Sequence, residues 1–495
     1  MKISKSKFVA GCQCLKRLYW QVRSPELAAQ PNASAYAIME QGGKVGMLAR
    51  QLFPGGVEVD GSGGLDKAIR TTRELVANRD IPAIFEGTFE NSGVLVRVDV
   101  LKRRRDHRWR LVEVKSTTSL KEEHLDDVGI QSRVVSRSGL DLASVNLAHV
   151  NRDYVFEGDS VDPHKFFKIR NLTRKIASLD PKLTFQLRAE FTVLAMPNAP
   201  EIAPGRHCTD PVTCEFYDRC NLPVPADHVV RLPRIHASTM EELEEMGIES
   251  IRDIPDDFEL TEIQRRAATC VQTSTPWFAP ELATELDGLK YPLCFMDFET
   301  VNRAIPRFPG MRPYDHLPFQ WSVHVQREPG AEPEHLEFLA TDANDPRREF
   351  ITSLCSALAQ SGSIVVYSSF ESQRLSDLRQ WIPKFSDRID AIQARLFDLL
   401  PIVREHTYHP AYAGSYSIKS VLPALLPEMT YDGMEVANGQ DAGLAWDSLV
   451  RGNLVQSERD RVRNALREYC GQDTLAMVRL LEALWLRGRD ERVPI

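Results

Sequence analysis

The stretch that decides the fold of the amino-terminal half is residues 94–115, VLVRVDVLKRRRDHRWRLVEVK. Residues 94–101 alternate apolar and polar side chains in the manner of a half-buried strand. The polar segment 102–107, KRRRDH, predicts a turn, and residues 109–115 predict the returning strand. The sequence therefore predicts a two-stranded hairpin with a basic turn.

Charged side chains on this hairpin form the first candidate centre. Pairing of the two strands would place Asp99 beside Glu113, and Lys115 faces the same way as Glu113 because side chains alternate along a strand. Two carboxylates can bind a divalent cation, and a lysine can stabilise an attacked phosphate. Gln131, on the next predicted helix, and Glu40, on an earlier one, are further candidates. The pattern is typical of a metal-dependent phosphodiester-cleaving centre.

A second acidic set lies in the carboxy-terminal half. The apolar residues 293–296 predict a buried strand, and its end carries Asp297 and Glu299 on one face. Tyr469 and Asp473 are four residues apart on a long predicted helix, so the phenol and the carboxylate point the same way. Carboxylates about 4 Å apart repel by roughly 4 kcal/mol per pair at an effective dielectric near 20. Two bound cations would relieve that repulsion, and the tyrosine hydroxyl would position an attacking water.

The first half resembles the RecB-like PD-(D/E)XK nucleases that carry an iron–sulfur cluster, over about residues 1–225. The residues that carry the resemblance occur in the family's order: Asp99, Glu113, Lys115, Gln131 and then an even cysteine ladder, Cys208-x5-Cys214-x5-Cys220. The resemblance implies that Asp99 and Glu113 bind Mg²⁺ or Mn²⁺. It also implies a [4Fe-4S] cluster that joins the start of the domain to its end, with the ligands Cys14, Cys208, Cys214 and Cys220.

The cysteines have a competing explanation in zinc. Four thiolates are common ligands of an iron–sulfur cluster, and the gaps in the ladder exceed the spacing of about two to four residues common at structural zinc. This spacing favours the cluster, with zinc as the alternative and Cys12 as the alternative to Cys14. The other four of the nine cysteines are predicted to pack in cores: Cys270, Cys294, Cys355 and Cys470.

The second acidic set is similar to that of the DnaQ-like exonucleases of the DEDDy kind, which have an RNase H-like α/β fold and act from 3′ ends. Members of that family show Asn-x-x-Phe-Asp where this chain has residues 367–371, YSSFE. The resemblance therefore assigns the fourth metal-binding acid to Glu371, although Ser368 and the glutamate itself depart from the family's pattern. Asp398, at the end of a short apolar strand, is the alternative. The segment 414–420, GSYSIKS, either contacts the phosphate chain or is a solvated loop.

These patterns predict an α/β chain with three parts. Residues 1–225 form the RecB-like PD-(D/E)XK nuclease domain, residues 226–290 a helical connector, and residues 291–495 the RNase H-like exonuclease domain. Residues 246–251 of the connector faintly suggest a helix-hairpin-helix, and a plain helical spacer is the favoured interpretation. The tandem layout resembles a bacterial and archaeal family that pairs these two nuclease types, and the similarity spans nearly the whole chain.

Charge is unevenly distributed between the two halves. Residues 1–225 contain 33 Lys and Arg against 27 Asp and Glu, whereas the remainder contains 28 against 42. The amino-terminal part is therefore the better candidate for extended contact with phosphates. No apolar run approaches the roughly 18 residues of a membrane span, and no signal-peptide core follows the start, so a cytoplasmic protein without membrane contact is predicted.

The functional hypothesis is a DNA nuclease with two metal-dependent centres, acting on single strands or ends in repair, recombination or phage defence. An exonuclease that trims RNA is an alternative, because no residue of the sequence identifies a reader of the 2′-hydroxyl. A nucleic-acid-binding iron–sulfur scaffold without turnover is the alternative from another class. The sequence identifies neither a protein partner nor an oligomeric state.

Overall fold

The structure, a computed structural model, describes residues 2–221, 223–358 and 360–489. It is a mixed α/β protein, which confirms the predicted class. The chain divides into two compact units: the first comprises Met1–Pro223 and Arg303–Asp315, and the second comprises Val224–Asn302 and His316–Ile495. The predicted domain limits at 225 and 290 stay predictions, and residues 490–495 of the predicted last domain lie outside the described residues.

The first unit contains a mixed sheet and the helices that cover it. Its strands are β1 (Ile3–Ser4), β2 (Val57–Glu58), β3 (Ala83–Asn91), β4 (Val94–Arg103), β5 (Trp109–Lys115), β6 (Leu142–Val150) and β7 (Phe167–Asn171). Its helices are α1 (Lys5–Gln13), α2 (Leu15–Arg23), α3 (Ala33–Arg50), α4 (Leu65–Ala77), α5 (Glu122–Arg137), α6 (Pro163–Phe166), α7 (Thr173–Ser178), α8 (Asp180–Leu194) and α9 (Tyr217–Cys220). The strand order is β2-β3-β4-β5-β6-β7, and β1 pairs with β4.

The predicted hairpin is β4 and β5, which pair antiparallel. The last ladder pair, Val100 with Val112, sets a register in which Asp99 is opposite Glu113. The next strand, β6, pairs parallel with β5 after the crossover helix α5. Val128 and Val135 of α5 are buried in the apolar core beneath the sheet, and this packing fixes the helix behind the hairpin.

The second unit contains a five-stranded sheet, a two-stranded sheet and ten helices among its described residues. Its strands are β8 (Trp277–Phe278), β9 (Leu293–Asn302), β10 (His316–Gln326), β11 (Glu334–Leu339), β12 (Ile364–Val366), β13 (Leu396–Asp398) and β14 (Thr407–Tyr408). Its helices are α10 (Ala237–Glu245), α11 (Glu262–Thr273), α12 (Leu282–Leu286), α13 (Arg347–Ala357), α14 (Phe370–Trp381), α15 (Ser386–Gln393), α16 (Leu399–His406), α17 (Ile418–Leu425), α18 (Gly439–Val450) and α19 (Gln456–Arg489). The larger sheet has the order β11-β10-β9-β12-β13.

Strand β9 is central to this sheet, pairing antiparallel with β10 and parallel with β12. The predicted end of this strand at 297–299 was wrong, because the ladder with β10 continues through Asn302 and both acids lie in mid-strand. Alternate side chains of β9 enter two different apolar cores. One face of the strand contributes Cys294, Met296 and Phe298, and the other face contributes Leu293 and Phe295. Because the period is two, Asp297 and Glu299 share the face of Leu293 and Phe295.

Short 3₁₀ turns complete the chain at Pro25–Leu27, Arg206–Cys208, Val229–Arg231, Ile251–Asp253, Pro383–Phe385 and Pro410–Tyr412. The segment that suggested a helix-hairpin-helix has α10 on one side of Gly247 and a 3₁₀ turn on the other, as a plain spacer would. None of the helices in the described part of the chain combines the length and the apolar character that crossing a membrane requires.

Candidate active sites

The first candidate site lies where β4 and β5 pair. The Val114 N–H donates a hydrogen bond of 2.7 Å to Oδ2 of Asp99, which holds this carboxylate against the neighbouring strand. Glu113 is 1% exposed, so its charge requires partners within the protein. The two acids that the sequence predicts to meet are therefore cross-strand neighbours.

Two lysines neutralise the buried glutamate. Lys115 donates to Oε1 of Glu113 at 2.8 Å and also to Asp127 of α5. Lys5, near the start of α1, donates to the same oxygen at 2.9 Å and lies 3.4 Å from Oδ1 of Asp127. Sequence reasoning missed Lys5, because nothing in its local pattern relates it to residues more than 100 positions away. Asp127 could have been found from its position one turn before Gln131.

Gln131 bridges the two acids that the lysines contact. Its Nε2 donates to Oε2 of Glu113 and to Oδ1 of Asp127, both at 2.8 Å. Its Oε1 is buried and accepts no hydrogen bond from any described residue. An acceptor left without a partner in a buried polar network is a position where a cation-bound water or a substrate hydroxyl can donate.

The charges of this site divide the two hairpin acids into different protonation states. Burial, together with repulsion from Glu113, raises the pKa of Asp99 to about 8. Burial acts in the same direction on Glu113, but Lys5 and Lys115 overcome it and hold the pKa of that carboxyl well below its usual range. Asp99 thus retains a proton that a divalent cation would displace.

A cleft of about 690 Å³ opens onto these residues. Its walls include Asp99, Glu113 and Lys115 together with residues of α3, among them Glu40 and three glycines, Gly42, Gly43 and Gly46. A Cβ added to any of these glycines would meet no described atom within 4 Å, so this stretch of α3 leaves open space. Glu40, the further acid proposed from sequence, lines the cleft and pairs with Lys44 at 2.8 Å.

Glu86 is an acid of this cleft that sequence reasoning missed. It stands between the register pairs Phe85 with Val100 and Gly87 with Val98, so it is the cross-strand neighbour of Asp99 on β3. Its φ of 56° interrupts the ladder, a conformation that costs of order 1–3 kcal/mol and is often found at functional sites. Its carboxylate accepts a hydrogen bond of 3.2 Å from Arg50.

The four predicted cluster cysteines line one small cavity in the first unit: Cys14, Cys208, Cys214 and Cys220. Backbone N–H groups of Gly205 and Phe216 donate to the sulfurs of Cys208 and Cys214 at 3.5 and 3.4 Å. Gln13 donates to the carbonyls of His207 and Val212 at 2.7 Å each and so ties α1 to the cysteine ladder. The donor set and the hydrogen bonds to sulfur suit an iron–sulfur cluster, and four thiolates suit zinc as well.

Cys12 has a different environment from Cys14. It packs against the apolar core beneath the first sheet and does not line the cavity, as far as the described residues show. Burial, with the nearby charges of Asp126 and Glu190, raises the pKa of its thiol far above the usual range. The geometry therefore favours Cys14 as the fourth ligand.

The second candidate site forms between β9 and the long helix α19. Asp297, Glu299 and Cys470 each present one ligand atom within 4.8 Å of the other two. The Cys470 sulfur lies 3.7 Å from Oδ2 of Asp297. Asp473 follows one turn later on α19. Burial, and next the charge of Asp473, raise the pKa of both Asp297 and Glu299. The two segments that carry the predicted acids, 170 residues apart, therefore converge.

Glu371 completes this acidic cluster from the first turn of α14. It is 4% exposed and interacts with Asp297, while its Oε2 has no hydrogen-bond partner among the described residues. The alternative acid, Asp398, caps α16 by accepting a hydrogen bond of 2.9 Å from the Leu400 N–H. The geometry favours Glu371 as the fourth acid, because Glu371 interacts directly with Asp297.

Lys419 and two tyrosines border the acids. Lys419 donates to the Tyr469 hydroxyl at 3.1 Å and to the Ala437 carbonyl, and its ammonium lies over the rings of Tyr469 and Tyr431. The segment 414–420 is thus more than a solvated loop, since it supplies this cation. Tyr431 was not foreseen, because no motif marks it. Burial, and next the charge of Asp473, keep the pKa of Tyr469 far above its usual range, so it remains a neutral phenol.

Burial and mutual repulsion oppose ionisation of the carboxylates of the second site, and the charge of Lys419 offsets part of this effect at Glu299 and Asp473. Burial is the largest cause that raises the pKa of Asp297, Glu299 and Asp473, and repulsion between the acids raises the first two further. The pKa of Glu371 rises to about 7, mainly through burial. Such clusters bind protons when metal-free and divalent cations when these are available.

Comparisons with known proteins add little to this geometry. A family described as Domain of unknown function (DUF2779) matches residues 294–417, which contain Asp297, Glu299 and Glu371. No curated protein matches the chain significantly. Among solved structures, the chain is similar to the crystal structure of SSO0001 at 14% identity, with a TM-score of 0.20, over 40% of this chain and 87% of that one.

Proposed function

We propose that this protein is a metal-dependent DNA nuclease with two centres: a RecB-like PD-(D/E)XK nuclease in the first unit and an RNase H-like DEDDy exonuclease in the second. The observation that carries the proposal is the convergence of four carboxylates, Asp297, Glu299, Glu371 and Asp473, beside Tyr469 and Lys419. Two of these acids, Glu299 and Glu371, are buried, and Asp297 and Asp473 are half-buried. Because the four carboxylates repel one another, a fold that gathers them is suited to a pair of divalent cations.

In the second centre the four acids would hold Mg²⁺ or Mn²⁺. When bound, such cations would favour deprotonation of a water and would stabilise negative charge on the phosphate. Tyr469, a neutral phenol, donates to the attacking water and orients it. Lys419 holds the Tyr469 hydroxyl in place and adds positive charge where the phosphate chain approaches.

In the first centre Asp99 and Glu113 would hold a cation. The Oε1 of Gln131, which accepts no hydrogen bond from a described residue, supports a water molecule or a substrate hydroxyl as a hydrogen-bond donor at this place. Lys115 and Lys5 surround Glu113 and stabilise negative charge on a phosphate brought into the cleft. The glycines of α3 leave the opposite wall open for a nucleic-acid strand.

A [4Fe-4S] cluster on Cys14, Cys208, Cys214 and Cys220 is part of the proposal. Its role would be structural, because it would connect the α1–α2 junction with the cysteine ladder near residue 220. Anaerobically purified protein is expected to carry a brown chromophore that is lost in Cys214→Ala. A colourless protein that retains stoichiometric zinc would favour the zinc alternative.

The proposal is tested with anaerobically purified protein, Mn²⁺, and end-labelled single-stranded DNA beside RNA of the same sequence. Wild type is compared with Lys115→Ala, Asp297→Ala and the double variant. We expect partial loss of DNA digestion in each single variant and full loss in the double variant. Lys121→Ala and Asp390→Ala, which change exposed residues paired only on the surface, are the matched controls.

The outcomes separate the alternatives. Digestion that starts only from 3′ ends in Lys115→Ala would support the assignment of the second centre. Faster digestion of RNA than of DNA would identify RNA as the preferred substrate. Undiminished digestion in the double variant would overturn the proposal, and binding without digestion by wild type would favour the scaffold alternative.

A further inference from the structure

Cys470 was predicted to be a core-packing residue, but its sulfur faces the acidic cluster. It is completely buried on α19, directly after Tyr469. Its Sγ lies 3.7 Å from Oδ2 of Asp297 and 4.0 Å from the Asp297 carbonyl oxygen. A thiol in direct contact with a proposed metal-binding carboxylate is not an inert filler of an apolar core.

The spacing of the donor atoms fits one cation. Ligand atoms bound at about 2.0–2.3 Å from an ion lie at most about 4.6 Å from one another. Ligand atoms of Asp297, Glu299 and Cys470 all lie within 4.8 Å of one another, so small side-chain adjustments bring them onto one ion. Two carboxylates and one thiol therefore form a compact three-donor set.

A second observation points to a ligand at the same place. Glu371 is 4% exposed and interacts with Asp297, and its Oε2 is buried without a partner among the described residues. Oδ1 of Asp473 is likewise buried and unpartnered within the described chain. Two buried acceptor atoms without a partner beside the donor set are a second, independent indication of a ligand at this place.

We propose that Cys470 is a ligand, together with Asp297 and Glu299, of a cation site that prefers a divalent transition-metal ion to Mg²⁺. Mg²⁺ takes hard oxygen ligands in near-ideal octahedral geometry, whereas a thiolate favours softer ions such as Co²⁺ and Zn²⁺, and accepts Mn²⁺. A bound ion deprotonates the thiol that coordinates it. This inference rests on the proposed nuclease function of the second centre, and it specifies the class of metal ion that the centre would use.

Cys294 is the matched control for Cys470. Both are fully buried in the second unit, and Cys294 lies on β9 itself. It is on the opposite face of the strand from Asp297, in the apolar core with Met296 and Phe298. A substitution at Cys294 thus removes a buried thiol from the same strand without removing a donor from the acidic cluster.

The test uses the full chain with its cysteine cofactor in place and Co²⁺ as the probe. Thiolate coordination to Co²⁺ produces a charge-transfer absorption, and the difference spectrum between wild type and Cys470→Ser cancels any signal from the four-cysteine set. We expect this band in wild type and in Cys294→Ser, and its loss in Cys470→Ser. Co²⁺ and Mn²⁺ affinity should fall at least about tenfold in Cys470→Ser, while Mg²⁺ affinity changes less.

Digestion of DNA separates this inference from the proposed function. Equal Co²⁺ spectra for wild type and Cys470→Ser, with unaltered Mn²⁺ to Mg²⁺ activity ratios, would overturn the ligand role even if both proteins digest DNA. Presence of the band in a wild-type protein that digests nothing with any metal would retain the metal site and remove the nuclease. Thermal unfolding identifies a misfolded Cys470→Ser variant, and Cys470→Ala then replaces it in the same measurements.

Discussion

At the scale of single residues, the proposed first centre includes a lysine, Lys5, that no local pattern identifies. Lys5 and Lys115 donate to the same Oε1 of Glu113, so one buried carboxylate is matched by two cations. Glu113, Lys115 and Gln131 could be predicted because strand and helix periodicity relates them. Lys5 could not, because its contact is made only when α1 packs on α5 behind the hairpin.

We predict that Lys5→Ala lowers cleavage by the first centre by about 10²-fold, the usual effect of losing one donor that faces the developing charge. The measurement is the rate of DNA digestion by proteins that also carry Asp297→Ala, so that only the first centre remains active. Lys2→Ala is the control, because its exposed pair with Glu90 contributes little. Equal loss in both lysine variants would contradict a specific role for Lys5.

At the scale of elements, the hairpin of β4 and β5 was predictable to within a few residues, because alternation and a polar turn specify it. The length of β9 was not, since its continuation to Asn302 depends on pairing with β10. Helix α3 (Ala33–Arg50) is the earlier helix that was predicted to carry Glu40, but its role as a wall of the cleft follows from packing alone.

The glycines of α3 provide a prediction about this helix. Glycine inside a helix costs roughly 0.5–1 kcal/mol relative to alanine, and a Cβ at Gly46 meets no described atom within 4 Å. Gly46→Ala should therefore raise the free energy of unfolding by about that amount. Gly46→Trp should fold as well but lower DNA cleavage by the first centre, because its ring occupies the cleft. Full cleavage by a folded Gly46→Trp would exclude this cleft as the path of the substrate.

One carboxyl group of the hairpin and one of α14 predict how the free energy of unfolding depends on pH. The pKa of Asp99 in the folded protein is about 8 and that of Glu371 about 7, both above their unfolded values. Between the unfolded and folded values the folded state binds more protons, so the metal-free protein should lose stability as pH rises from about 4 to 8. Excess Mn²⁺ should remove this loss, because the cation replaces the protons. The measurement is the melting temperature across this pH range, with chelator and with Mn²⁺. A parallel fall under both conditions would contradict the prediction.

At the scale of the whole molecule, the two compact units do not follow the order of the chain. Residues Arg303–Asp315 lie between β9 and β10 in sequence but belong to the first unit. There the Ala304 N–H donates to Gln41 at 3.0 Å, and the Tyr314 hydroxyl donates to the Ser116 carbonyl at 2.5 Å. Sequence reasoning could not find this excursion, because residues 303–315 contain no motif that relates them to the first unit.

The cofactor that we propose on the four cysteines yields a prediction about the stability of the two units. Its proposed ligands connect Cys14 near the start of the first unit with Cys220 near the end, so its loss should destabilise that unit only. Cys214→Ala should lower the unfolding temperature of the first unit and leave activity of the second centre intact. Limited proteolysis and digestion assays measure the two effects separately. Equal destabilisation by Cys355→Ala would show that any cysteine substitution has this consequence.

The sequence by itself determined the α/β class, the hairpin with Asp99 and Glu113, and the pairing of Tyr469 with Asp473, because each follows from a short-range period of two or of 3.6 residues. Only the tertiary structure decided that Lys5, Glu86, Lys419 and Cys470 join those acids, and that Glu371 rather than Asp398 approaches Asp297. The physical reason is range: local periodicity decides which way a side chain points, whereas packing of distant segments decides what it meets.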